Sequence, residues 1–228
     1  GTGSSAAFCI GLIKCLSSFK NKILTKEELY ELGYFIEKVK LNESTGYQDH
    51  IFSTFGGFNK IIFEEKKIQI NKLKINRKKI VDLEENLIIF YTKIKRRASI
   101  IEKSKKFSSN RTINILNEIK SLAYEAEKQL LLKSKHDTSE IGNLLNENWN
   151  LKKQLSNEVS NYKIDQIYKE AITSGASGGK LLGAGGGGFM LFYCQKNKQK
   201  KLKEKLNKFT SINFKFINSG SEIIENEL

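Results

Sequence analysis

Between Gly183 and Gly188 the chain places five glycines in six positions, Ala184 being the exception. Gly178-Gly-Lys-Leu-Leu runs into this stretch, and Phe189-Met-Leu-Phe-Tyr-Cys194 leaves it. Apolar runs on both sides of a glycine centre predict two strands and a glycine-rich connection. A tight hairpin needs one or two glycines; five point to a backbone that must let something else come close. Gly183, Gly185 and Gly188 match G-x-G-x-x-G in letters. A dinucleotide fold needs a helix directly after that loop, and here a strand follows. A Walker loop fails as well, since Lys180 is followed by Leu181 and the leading glycine position holds Ser174.

The elements around the hairpin alternate. Helical spacing of apolar residues runs from Ser4 to Phe19, and again from a Thr25/Glu28 capping box to about Lys40. Tyr47 to Phe55 reads as a short helix stopped by Gly56-Gly57, and 58–64 with 67–73 reads as a hairpin turning at Glu65-Lys66. The pattern changes near Asn76, which sets the expected domains at 1–76 and 77–228. In the second, Leu87 to Thr92 reads as a strand buried on both faces. Helices are expected over 96–133 with a break near 107–109, then 137–150 and 158–173. After the glycine hairpin come a lysine-rich helix (196–208) and a last strand, 212–217. The fold class is α+β, the second domain a split βαβ sandwich with helices on one face.

Composition narrows the classes. With 39% apolar and 28% charged residues the chain is globular rather than disordered, and no apolar run is long enough to span a bilayer. Cys9, Cys15 and Cys194 lack metal-type spacing and read as thiols of a reducing cytoplasm. The net charge of +14 raises nucleic acid or an anionic membrane as partners. The lysines are scattered among glutamates, however, so no nucleic acid and no membrane partner is expected. Met190 is the only methionine and the chain opens in mid-motif, so it is expected to be a fragment lacking an N-terminal part.

That opening is Gly1-Thr-Gly-Ser-Ser-Ala-Ala-Phe8. A glycine turn entering a helix N-terminus offers orphan N–H groups and the positive end of the helix dipole to an anion. Ser4 and Ser5 could bind a phosphate oxygen or a phosphate-bound Mg²⁺. A plain Ser-capped helix is the competing reading. Glu37 and Asp49 suit the remaining needs of phosphoryl transfer, a cation ligand and a carboxylate that draws a proton. Against them stand a solvated helix face for Glu37 and an N-cap role for Asp49.

Together these stretches resemble the GHMP kinases. Gly1 to Ala7 resembles their phosphate-binding second motif, and Lys180-Leu-Leu-Gly-Ala-Gly-Gly-Gly-Gly-Phe their glycine-rich third motif. Gly46-Tyr-Gln-Asp-His-Ile-Phe-Ser-Thr-Phe-Gly-Gly-Phe-Asn resembles the segment of the catalytic aspartate. Ile89-Phe-Tyr-Thr-Lys-Ile-Lys-Arg-Arg-Ala and Leu145 to Lys153 bring the wording nearest to D-glycero-D-manno-heptose 7-phosphate kinases. The resemblance implies a two-domain fold, the remnant of a ribosomal-protein-like N-terminal domain plus a ferredoxin-like C-terminal one. It implies a cytoplasmic, ATP- and Mg²⁺-dependent kinase acting on a phosphorylated sugar, for nucleotide-activated heptose of surface glycans.

By position, Gly1, Thr2, Gly3, Ser4, Ser5 and Ala6 would wrap the ATP phosphates, with Thr2 in place of the commoner leucine. Ser5 and Glu37 would hold Mg²⁺, and Asp49 would be the base. Gly183, Ala184, Gly185, Gly186 and Gly187 would shape the substrate pocket. Arg96 and Lys152 would hold the 7-phosphate, with structural salt bridging equally open to them. Trp149 reads as core. His50 stands where the family has glutamine and receives no chemistry. The opening turn, the two carboxylates and the glycine hairpin are expected in one cleft. A fucose- or galactose-type kinase, a basic RNA-binding module and a non-catalytic homologue are the alternatives.

Overall fold

The computed structural model describes residues 2–65, 67–95, 101, 104, 109–132 and 137–224. They form two compact units, one of residues 2–74 with the tail from Phe216, the other of residues 75–215. The sequence reading carries the second domain on to 228; by its contacts the tail belongs with the first unit.

The first unit holds α1 (Ser4–Phe19), α2 (Lys26–Phe35), α3 (Tyr47–Phe55) and a hairpin of β1 (Asn59–Phe63) with β2 (Ile68–Lys72). The capping box that opens α2 is complete: Glu28 N–H donates to Thr25 Oγ1 at 3.1 Å, and Thr25 N–H to Glu28 Oε2 at 2.8 Å. The helix does not run on regularly to Lys40. Ile36–Lys40 is a π turn, in which Leu41 N–H reaches back to Ile36 O. Ile10, Ile13 and Leu29 form the buried cluster where α1 meets α2. The tail returns across the end of α3, where Ser221 N–H donates to Ser53 O and Gly57 N–H to Ile217 O.

The second unit is a four-stranded antiparallel sheet in the order β4-β5-β3-β6, with β3 Leu87–Tyr91, β4 Ala176–Leu181, β5 Phe189–Cys194 and β6 Thr210–Ile212. In chain order that is 2-3-1-4, the arrangement of a split βαβ sandwich. Helices α4 (Arg77–Asn86), α5 (Asn110–Leu131), α6 (Ser139–Lys153), α7 (Tyr162–Thr173) and α8 (Gln199–Lys205) accompany it. Ile88, Phe90, Met190 and Phe192 of the sheet join Trp149, Ile164, Ala171 and Leu202 of the helices in one core. Strand β3 is not buried on both faces as its apolar run suggests: Ile88 and Phe90 are buried, while Leu87, Ile89 and Tyr91 are only half-buried. The last strand is 210–212 rather than 212–217, because the chain leaves the sheet for the first unit. Of the helical stretch expected over 96–133, residues 110–131 are helical and Ser109, in the expected break, caps that helix; most of 96–108 lies outside the described residues.

Candidate active site

The opening turn is built by Gly3. It caps α1 with a left-handed backbone (φ 67°, ψ 17°), and no side chain caps the helix. The Ser-capped reading therefore does not hold, and the two serine hydroxyls are left for other partners. A Cβ at residue 3 would stand 3.3 Å from Asp49 Cγ. Glycine thus serves twice here: it takes a φ that other residues resist, and it lets the Asp49 carboxyl lie against the turn. No acidic residue occupies the first turn of α1, so its dipole is left for an external anion. Gly1 lies outside the described residues; Thr2, Ser4 and Ser5 are exposed, and Ala6 is buried beneath them.

Asp49 sits in the first turn of α3, but Gly46 caps that helix, so the aspartate is not the N-cap. It is exposed and faces Gly3. Glu37, by contrast, is buried at 4% exposure. The π turn carries it, and such turns recur at functional sites because the extra residue re-aims side chains. A buried carboxylate needs partners. Ser5 Oγ donates to Glu37 Oε1 in a short hydrogen bond, and His50 Nε2 stands 3.0 Å from Glu37 Oε2. That approach is within ion-pair range yet off the line of a good hydrogen bond. His50 is wholly buried, and its Nδ1 donates to Gly46 O at 3.1 Å. Tyr34 stacks on Tyr47 at 3.7 Å and stands edge-on to the His50 ring. Burial, before any charge effect, holds the Tyr47 phenol above its ordinary value. From the sequence alone His50 receives no chemistry. The signal was present, since Tyr47, His50, Ile51 and Thr54 lie on one helix face and a histidine there must find partners.

The glycine hairpin belongs to the second unit, and its backbone is pinned from several sides. Lys152 Nζ donates to Leu181 O at 3.1 Å and also to Gly183 O. Gly186 N–H donates to Val159 O, and Gly188 N–H to Ile94 O. Asn161, which caps α7, donates from Nδ2 to Gly186 O at 3.2 Å. At Gly185 φ is 126° and a Cβ would fall 2.8 Å from Val159 Cα, so this glycine is demanded by conformation and by space. Gly183, Gly186 and Gly188 also have positive φ. Lys152 is thus engaged on hairpin carbonyls. Beside the hairpin lies an open hollow of about 460 Å³ lined by Lys93, Ile94, Asn161, Tyr162 and Lys163. Both of its lysines are exposed, and no local signal in the sequence singles them out. Arg96 lies outside the described residues.

A hydroxyl on a carboxylate, with a second carboxylate against a glycine-capped helix start, suits phosphoryl transfer. The comparisons agree with that class. The profile of the GHMP kinases N terminal domain matches residues 1–57, and that of the GHMP kinases C terminal matches 126–211, together more than half of the chain. The chain belongs to the GHMP kinases. It is 34% identical to a D-glycero-alpha-D-manno-heptose 7-phosphate kinase of Campylobacter jejuni over 91% of its own length and 61% of that protein. It is 33% identical to a mevalonate kinase of Methanocaldococcus jannaschii, over 91% and 62%. The crystal structure of a D-glycero-D-manno-heptose 1-phosphate kinase from Bacteroides thetaiotaomicron superposes with a TM-score of 0.74 at 25% identity, over 96% and 62%. The chain thus spans about three fifths of these relatives.

Proposed function

We propose that the protein transfers the γ-phosphoryl group of ATP to the anomeric hydroxyl of D-glycero-D-manno-heptose 7-phosphate. One observation carries this reading: Asp49 lies against Gly3 at the helix start whose Ser5 is bound to Glu37. The backbone of Thr2 to Ala6 and the dipole of α1 take the ATP phosphates. Ser5 and Glu37 present hard oxygens side by side, a donor set that fits Mg²⁺, which is commonly held by one or two carboxylates together with substrate phosphates. When bound, that cation neutralises charge on the phosphates. Asp49 accepts the proton of the sugar hydroxyl while that oxygen bonds to the γ-phosphorus and the bond to ADP breaks. Arg96 and the exposed Lys93 and Lys163 supply cations for the sugar's own phosphate, and Gly183 to Gly187 shape its pocket. Lys152 serves by fixing the hairpin rather than by holding that phosphate.

The choice of sugar rests on the heptose-kinase relatives. The mevalonate kinase of comparable identity makes the acceptor the point to test. Transfer from ATP should be measured on the full chain with the heptose 7-phosphate, the unphosphorylated heptose, mevalonate, fucose and galactose. Activity confined to the first supports the reading; preference for any other replaces the substrate. Asp49→Asn should lose about 10²- to 10⁴-fold in turnover while an ATP analogue still binds. Retained turnover would remove Asp49 from the base role.

A further inference from the structure

We infer that Lys14 and the returning tail are positioning groups for Asp49: the Ser221 backbone clasps α1 to α3, and that clasp keeps the aspartate against the Gly3 turn. The role given to Asp49 rests on the kinase reading above; the clasp itself rests on the contacts of the tail.

Helix α3 has 9 residues, fewer than the roughly 12–15 below which an isolated helix is marginal in water. The buried cluster where α1 meets α2 contains no residue of α3. The last carbonyls of a helix also lack partners within it. Here Phe52 O is met by Gly56 N–H at the helix's own end, and Ser53 O by Ser221 N–H at 2.9 Å. The tail thus caps α3 from far along the chain. The other side of the same residue is held by α1, because Ser221 O accepts from Lys14 Nζ. One residue of the tail therefore bridges the helix that carries Asp49 and the helix that begins at Gly3.

The bridge is itself pinned. Gly57 N–H donates to Ile217 O at 2.8 Å, Lys72 Nζ to Asn218 O at 3.3 Å, and Phe216 packs on Phe58 with ring centroids 4.6 Å apart. Two glycines permit the close passage: a Cβ on Gly56 would overlap the Ser219 carbonyl, and one on Gly220 would overlap Thr54 O. Gly220 is not among the glycines of positive φ, so space alone demands it. Within α3, Ser53 Oγ donates to Asp49 O at 2.7 Å, so the residue that the tail caps is bonded in turn to the backbone of the aspartate. Lys14 stands about three turns along α1 from Gly3, clear of every group proposed for the phosphates or the cation. A base must stand within hydrogen-bond reach of its proton, and a displacement of about 1 Å caused far from the chemistry can cost about 10²-fold in rate.

The test is the nuclear Overhauser contact between Gly3 Hα and Asp49 Hβ in the full chain, read together with turnover from ATP. Lys14→Met removes the donor and keeps the apolar stem; Gly220→Ala lifts the tail from Thr54. Each should weaken that contact and leave those between β3 and β5 intact. Each should also lower kcat about 10- to 100-fold with KM for ATP unchanged. Lys14→Arg, which still reaches Ser221 O, should restore both readouts. If Gly220→Ala fails to fold, the two Lys14 variants decide alone. A tail that merely stabilises the unit would lower the urea midpoint of the variants and leave the Gly3–Asp49 contact at wild-type strength, which overturns the inference and leaves the kinase reading standing. A weakened contact with unchanged kcat overturns the positioning role and the assignment of Asp49 as base. A wild-type chain that transfers phosphate to none of the acceptors named above, while its variants lose the contact, keeps the clasp and overturns the kinase reading.

Discussion

The two units hold themselves together by different means. The second gathers fifteen buried residues into one cluster between sheet and helices, with Trp149, Leu181, Met190 and Phe192 wholly excluded from water. In the first, the cluster is Ile10, Ile13 and Leu29, while Phe8, Leu12, Leu16 and Phe19 along one side of α1, and Ile23 beyond it, stay 46–96% exposed. Yet the first unit carries the residues proposed for phosphoryl transfer. Its order comes from polar and aromatic interlocks: Ser5 on Glu37, Glu37 on His50, His50 on Gly46, and Tyr34 on Tyr47. A large core tolerates the loss of one polar contact. A site held by a short series of such contacts has no comparable reserve.

The contrast can be broken most directly at its hydrophobic end. Trp149→Ala removes a wholly buried ring from the second unit and should cost about 3–5 kcal/mol in urea denaturation of the chain. Phe8→Ala, at a residue 73% exposed, should change stability by no more than about 0.5 kcal/mol. If the two substitutions cost the same, the units do not differ in the way described. Thr25→Ala sharpens the other side of the comparison. It removes both hydrogen bonds of the Thr25 hydroxyl, the one accepted from Glu28 N–H and the one given to Glu28 Oε2, and should cost about 1 kcal/mol. The loss should appear as faster amide exchange in α2, with the second unit's strands unaffected. Equal acceleration in both units would show that they unfold as one.

Much of this was legible in the order of residues. The start of α1 at Ser4, the capping box, the β1–β2 hairpin and the strand–glycine–strand connection all follow from local signals, which neighbours in sequence suffice to fix. The π turn was not legible, because Ile36 to Lys40 has ordinary helical residues and the partner Glu37 meets there, Ser5, lies far away in sequence. For the same reason Lys152 reads from sequence equally as a phosphate ligand or as a structural cation: sequence reports its charge but not that Leu181 O and Gly183 O lie within its reach. The strand expected over 212–217 misled because an apolar alternation does not say which unit it will pack on, and Phe216 packs against Phe58. His50 shows the reverse case. A lone histidine on an inner helix face is a demand for partners, but its partner is fixed only by the fold.

The smallest effect concerns a polar group inside the well-packed unit, where the comparison predicts tolerance. Tyr168 Oη donates to Asn146 Oδ1 at 2.6 Å, and burial pushes the phenol up to about 12 from an ordinary 10.0, with a hydrogen bond to the Gly179 backbone working weakly against the rise. The folded state therefore keeps this proton at a pH where the unfolded chain has lost it. Stability from the group is present in full below about pH 10 and is lost as pH rises toward 12. Tyr168→Phe keeps the ring that packs on Trp149 and Phe192 and removes only the hydroxyl, so at neutral pH it should cost about 1 kcal/mol or less. Urea denaturation of wild type and variant across the alkaline range should give a constant difference up to about pH 10 that then shrinks and changes sign. A difference that stays flat through that range would mean the phenol is not sequestered, and the core of the second unit is more open at α7 than its packing indicates.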